Sequence, residues 1–466
     1  MVVQIRGYVA DVPYVRAFIH ELAPSWLDHV AVVSGLMPPA RDGGFAWCDL
    51  GCGQGVTAAM LAAMHPGGQF HAIDAMPEHI EHGRRFAAEA GAANVGYHAM
   101  DFAAAVDQPL PKFDYIVSHG VYSWVGRQIR ADLRAFIDRH IKRGGLVYIS
   151  YNAMPGRAAD LPFQRLVRAV GKTCSGDSTE RVAAALKIVD SFLELKAPSL
   201  VASPMLSALK QHKYRFAATY LAHEYMGQHW DPLFVTEVRS DMAEIQLKPV
   251  GSCTLVENHD SFVLGRAARE ALAAIGDEDV RELARDFLID QSFRRDLFVR
   301  EGEPLDEYGQ RQRLLASAFA LTRGAGNIEY TLRTAAGRLN FDNAAARGII
   351  AGLAGGPCRL GAIAEQCGAA PEDVVANAMV LCASTQIRPV ESGRASVATI
   401  NAAISRRLGG EEEILYLALP CGTAIAMHDA VRSLLRGDRG DDDAFREWRD
   451  FLAAHGIRPT HPTCKG

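Results

Sequence analysis

Between residues 45 and 152 five short apolar runs, AWCDLG, QFHAIDA, NVGYHAMDF, FDYIVSHGV and LVYISYN, alternate with the helical patterns GVTAAMLAAMH, PEHIEHGRRFAAEAG and RQIRADLRAFIDRHIKRGG. Strand, helix, strand repeated in this way predicts a parallel sheet covered on both faces, since parallel neighbours need a crossover long enough to form a helix. Pro66, Pro77 and the pair Gly144 and Gly145 stand where helices should start or stop. The stretch EIQLKPVGSCTLVEN is expected to add the last strands, around 244 to 265. A mostly helical insertion, about 156 to 230, then falls over the carboxyl edge of the sheet, where open α/β folds bind ligands.

The first run ends in DLGCGQG, which places Asp49 two residues ahead of Gly51, Gly53 and Gly55 and leads directly into a helical stretch. A dinucleotide site would show G-x-G-x-x-G, and a P-loop would continue into Gly-Lys-Ser/Thr; neither is present. Taken alone, alternating glycines make a tight strand-to-helix connection, and an isolated Asp after a strand makes a loop cap. Here, however, three successive strands end in acids, Asp49, Asp74 and Asp101, beside the glycine loop.

This pattern resembles the first motif of the class I S-adenosylmethionine-dependent methyltransferases. The likeness implies a Rossmann-like α/β domain and S-adenosylmethionine as cofactor. In that family Asp49 and Gly51, Gly53 and Gly55 would face the methionine part, whose ammonium favours an acid and whose carboxylate favours backbone N–H groups. Asp74 would accept the two ribose hydroxyls, and Asp101 with Phe102 would border the adenine. After the fourth run, SHGVYSWVG brings His119, Tyr122 and Trp124 toward the methyl group, where aromatic faces favour a sulfonium or alkylammonium cation. The alternatives are that Tyr122 and Trp124 pack the next helix and that His119 is a hydrogen-bonded structural residue.

A narrower resemblance runs through GYVADVPY, HGVYSWVG, YISYNAMPG, LAHEYMGQHWDPLF and FRRDLFVR, in that order. These stretches are similar to bacterial methyltransferases carrying a methyltransferase regulatory domain, among them rickettsial protein-lysine methyltransferases that act on outer-membrane proteins. By that match Tyr8, and after it Tyr14, closes over the cofactor; the alternative is that both anchor the first helix. His223-Glu224 suggests a zinc helix, but the next histidine, His229, is six residues on, where H-E-x-x-H requires four, so no metal is expected.

At 466 residues the chain exceeds one ordinary core. We expect a catalytic domain over 1–265 with its insertion, a helical middle domain over 266–342, and a mainly helical unit over 343–466 with winged-helix-like order. The second helix of that unit, PEDVVANAMVLCAS, has neither Lys nor Arg, and the net charge is -5, so nucleic acid is not an expected partner. The acidic stretch GDRGDDD is expected to cap the last helix. Nine scattered cysteines without CxxC pairs suit a reducing compartment, and Arg6, Asp11, Arg16 and Glu21 interrupt any apolar leader, so a cytoplasmic protein without a membrane span is expected. The expected activity is methyl transfer to a protein lysine amine. A small metabolite or cell-surface saccharide as acceptor, or a non-catalytic cofactor-binding regulator, are the alternatives.

Overall fold

The computed structural model describes residues 4–5, 7–211, 218–334, 336–391, 393, 395–437 and 443–457. Its centre is a seven-stranded sheet built from β1 (Phe45–Leu50), β2 (Gly68–Asp74), β3 (Val95–Ala99), β4 (Phe113–Ser118), β5 (Ile141–Asn152), β6 (Leu247–Ser252) and β7 (Phe293–Arg300). The order is β3-β2-β1-β4-β5-β7-β6, and only β7 runs antiparallel to its neighbours. All six residues of β1 and of β4 are buried, as expected of central strands covered on both faces. Helices Val56–Met64, Pro77–Ala90 and Arg127–His140 make crossovers. Pro77 opens the second of these, and Gly91 closes it in the left-handed conformation. Because the chain goes outward through β2 and β3 and then returns to β4 beside β1, a crevice opens at the carboxyl ends of β1 and β4.

The insertion is a helical cluster whose core joins Phe163, Val167, Val182, Ala185, Val189 and Tyr225 to Val9 and Val12 of the N-terminal segment. Downstream the sheet corrects the expected boundaries. One strand of the 244–265 stretch, β6, enters the sheet; its neighbour is β7, inside the stretch expected to be a helical middle domain. A boundary at 265/266 would therefore remove the strand between β5 and β6. The charges of FRRDLFVR conceal the strand period: Arg294 is buried among Asp286, Asp296 and Glu282, at 2.5, 3.0 and 2.7 Å.

The C-terminal unit runs helix Ala344–Leu353, strand Cys358–Arg359, helices Leu360–Cys367 and Pro371–Ala383, and strand Ile387–Val390. Ala318–Leu321, from ahead of the first of these helices, lies antiparallel between the two strands, so the boundary at 342/343 also divides a sheet. One continuous apolar core joins this unit, through Ile363, Leu381 and Leu417, to Val30, Trp47 and Met60 of the catalytic sheet and its helices. Arg41 with Glu391, Arg85 with Glu412, and Arg407 with Glu89 pair across the same contact. Residues 438–442 of the acidic stretch lie outside the described residues. Among the described residues no helix is long and apolar enough to cross a membrane, and no group of three or more His, Cys, Asp or Glu is placed to hold a metal ion.

Candidate functional site

The crevice is a cavity with about 1330 Å³ of empty space, partly open to solvent. Its floor is the loop from Gly51 to Gly55. Gly51 has φ 84° and Gly55 has φ 70°, values that L side chains rarely adopt. The Gly51 and Cys52 amides both donate to the Ile73 carbonyl, at 2.8 and 3.1 Å, which ties the loop to the end of β2. Gly53 N–H donates to Asp74 Oδ2 at 2.9 Å, and helix Val56–Met64 begins immediately after Gly55.

The three strand-end acids all line this cavity, each in a different state. The Asp49 side chain is 4% exposed and accepts no hydrogen bond among the described residues. Burial, and then the neighbouring Asp74, push its carboxyl up to about 8. Asp74 holds the Gly53 amide with one oxygen and the Met76 amide with the other, both at 2.9 Å. A carboxylate has about four lone-pair sites, so capacity remains on each oxygen. Asp101 caps the short helix Phe102–Ala105 by accepting the Ala104 amide, and Phe102 lies beside it on the wall.

On the opposite wall the structure separates the residues that follow β4. His119 and Trp124 line the cavity. Tyr122 does not: its ring is fully buried on the other side of the turn, and its hydroxyl donates to Asp241 at 2.5 Å while Arg134 donates to it at 3.2 Å. It anchors the turn, which corrects its expected place at the methyl group. The His119 Nδ1 lies 2.8 Å from the Tyr148 hydroxyl and 3.2 Å from Ser150 Oγ. Burial, then Arg295, lower His119 to about 3, so the ring is neutral. Tyr8 and Tyr14 both line the cavity, their rings 5.3 and 5.0 Å from His223. His223 itself bonds the Val12 carbonyl at 3.0 Å.

Several residues on this wall or behind it lie outside the glycine-loop and strand-end motifs. Residues 14–19 form an extended strap over the loop: Gln54 Nε2 donates to the Tyr14 carbonyl, Thr57 Oγ1 to the Ala17 carbonyl, and the Ile19 amide to Thr57 Oγ1, each at 3.1 Å. Trp230, from the end of the insertion, stands 6.1 Å from Trp124. Glu224, next to His223, is pushed up to about 7 by burial and acts electrostatically on both Tyr8 and Tyr14. In the sequence the runs GYVADVPY and LAHEYMGQHWDPLF mark this side of the crevice.

A methyltransferase domain family model matches residues 48–145, and a predicted methyltransferase regulatory domain model matches residues 217–300, ending where β7 ends. An uncharacterized protein of Synechocystis is 32% identical over 461 residues, covering 97% of this chain and 91% of that protein. The chain belongs to the class I methyltransferases that carry a methyltransferase regulatory domain. An uncharacterized protein of Rickettsia prowazekii is 27% identical over 223 residues, 47% of this chain and 86% of that protein. This methyltransferase also shares its fold with PKMT2 of Rickettsia typhi, solved in complex with AdoHcy: the TM-score is 0.69 at 18% identity, over 97% of this chain and 94% of the other. Its cofactor is S-adenosylmethionine, and the donor set fits it: an unpartnered buried carboxyl for an ammonium, and an acid with spare acceptor sites for a diol.

Proposed function

We propose that this methyltransferase places its methyl group on the side-chain amine of a protein lysine. The carrying observation is the acceptor wall, which is aromatic through Tyr8, Tyr14 and Trp124 and holds neutral His119, with the Glu224 carboxyl, raised to about 7, behind the two tyrosines. Asp49, Gly51, Gly53, Gly55, Asp74, Asp101, Phe102 and Tyr8 would hold the cofactor; His119 and Trp124 would border the methyl group. The bound cofactor supplies an electrophilic sulfonium methyl for in-line displacement. The protein must align the attacking lone pair with it, and such orientation supplies much of the acceleration. Deprotonating a lysine at pH 7 costs about 4.6 kcal/mol from its ordinary pKa. An apolar aromatic pocket lowers that cost by disfavouring the ammonium, and a carboxyl near 7 is suited to take up the proton. Residues 7–300 would form the catalytic unit, with the C-terminal unit bracing its cofactor-side helices.

Incubation of the purified protein with methyl-labelled cofactor and fractionated lysate tests this reading. Label in protein that survives base supports N-methylation. Release as methanol would indicate a carboxyl ester, label confined to small molecules would move the acceptor to that class, and absence of turnover would leave a cofactor-binding regulator.

Asp49 gives a second expectation. With its carboxyl near 8, the group is mostly protonated at pH 7 in the free protein, and pairing with the cofactor ammonium drives the proton off. Cofactor affinity therefore rises with pH, by close to tenfold per unit between about pH 6 and 7. Binding enthalpies of S-adenosylhomocysteine in two buffers of different ionisation heat should report release of most of a proton, and Asp49→Asn should remove it. Equal enthalpies for the wild type would overturn the ammonium assignment.

A further inference from the structure

Helix Pro77–Ala90 carries two buried histidines one turn apart, His79 and His82, on the side facing the cofactor loop. His79 Nε2 accepts the Tyr14 amide at 3.4 Å, so that nitrogen is unprotonated and the ring proton is on Nδ1. His79 Nδ1 meets no hydrogen-bond acceptor among the described residues, yet it lies 3.4 Å from Asp74 Oδ1. His82 repeats the arrangement. Its Nε2 accepts from Arg16 Nε at 3.2 Å, and its Nδ1 donates to the Gln54 carbonyl, inside the glycine loop, at 2.8 Å. Arg16 also donates from Nη1 to the Glu411 carbonyl of the C-terminal unit at 2.9 Å. Each imidazole thus offers its lone pair to the strap; His82 gives its proton to the cofactor floor, and His79 brings its Nδ1 within 3.4 Å of Asp74 without a hydrogen bond.

We propose that His79 and His82 are positioning residues, a paired latch that joins closure of the strap at residues 14–19 to the placement of Asp74 and of the glycine loop. The inference rests on the reading of Asp74 as a cofactor acid. A protonated imidazole has no lone pair, so a second proton on His82 breaks its strap contact and replaces it with repulsion from Arg16. The charged and titratable groups facing the pair are Asp74 on β2, His223 on helix Ala218–Met226, Arg16 on the strap, and Arg407 and Glu412 of the C-terminal unit. Burial holds His82 below the ordinary imidazole range, with Arg16 and Arg407 adding to it. The His82 contact to the strap is consequently kept at neutral pH and lost only as pH falls below the ordinary imidazole range.

Hydrogen exchange of the residue 14–19 amides in the cofactor-free protein tests this from pH 5 to 8, after correction for intrinsic exchange. In the wild type, protection should fall at least tenfold across that range. The double variant His79→Gln with His82→Gln keeps an acceptor near each Nε2 position and has nothing to protonate, so its protection should be flat. His79→Ala should be poorly protected at every pH and bind S-adenosylhomocysteine about tenfold more weakly, because the strap loses its Tyr14 hydrogen bond. A flat wild-type profile, or the wild-type drop persisting in the double glutamine variant, overturns the latch; if that variant fails to fold, the wild-type series still decides. Asp74→Ala separates the premises: unchanged affinity there removes the cofactor-acid reading, whereas lost affinity with a flat wild-type strap profile removes the latch alone.

Discussion

Asp74→Ala is expected to weaken binding of S-adenosylhomocysteine by a hundredfold or more. Two hydroxyl groups donating to one carboxylate are charge-assisted hydrogen bonds, each contributing about 1.5–3 kcal/mol, and their loss together corresponds to about 10²- to 10⁴-fold in affinity. The substitution also frees the Gly53 and Met76 amides, both at 2.9 Å from the carboxylate, so the glycine loop loses one of its ties to the end of β2, those of Gly51 and Cys52 to the Ile73 carbonyl remaining. Asp74→Asn keeps an acceptor oxygen but no charge and should fall between wild type and alanine. Titration calorimetry reads the affinities, and circular dichroism confirms that the sheet is retained. A loss smaller than tenfold in the alanine variant would take Asp74 out of the ribose site.

The strands β1 to β5 and the three acids were legible because each signal is local. An apolar run of strand length, a glycine turn and an acid at the run's end all fall within a dozen residues. What escaped depends on partners distant in sequence. β7 carries three consecutive charges, Arg294, Arg295 and Asp296, and Arg294 can be buried in it because Asp286 and Glu282, on helix Glu278–Ile289, neutralise it. Tyr122 and Trp124 are two residues apart in one turn, and nothing in SHGVYSWVG says which faces the crevice. The decision lies with Asp241, 119 residues on, which holds the Tyr122 hydroxyl on the far side. His79 and His82 look like the polar face of an ordinary amphipathic helix until the strap is seen to lie over them. The C-terminal unit was legible as helices, but its sheet takes Ala318–Leu321 from outside the run of helices that suggested it.

Gly55→Ala should destabilise the protein by about 2–5 kcal/mol and remove cofactor binding with it, the second of the two largest effects expected. A β-carbon at residue 55 would stand 2.5 Å from Tyr97 Cε1 and 3.2 Å from the Gly83 Cα, in a backbone with φ 70°. The conformational cost of a non-glycine residue there is about 1–2 kcal/mol, and overpacking adds about 1–3 kcal/mol. Neither neighbour yields easily. Tyr97 is buried, and its hydroxyl donates to the Gly55 carbonyl itself at 2.8 Å, while Gly83 belongs to the same helix as His79 and His82. The third glycine of DLGCGQG thus lets the cofactor loop, β3 and helix Pro77–Ala90 meet at one point. Denaturant unfolding of Gly55→Ala, of Tyr97→Leu and of the double variant separates the two costs: shortening residue 97 should recover part of the steric loss, making the double variant more stable than the sum of the singles predicts. Strict additivity would mean that the ring is not the obstacle. The backbone conformation alone would then account for glycine at this position.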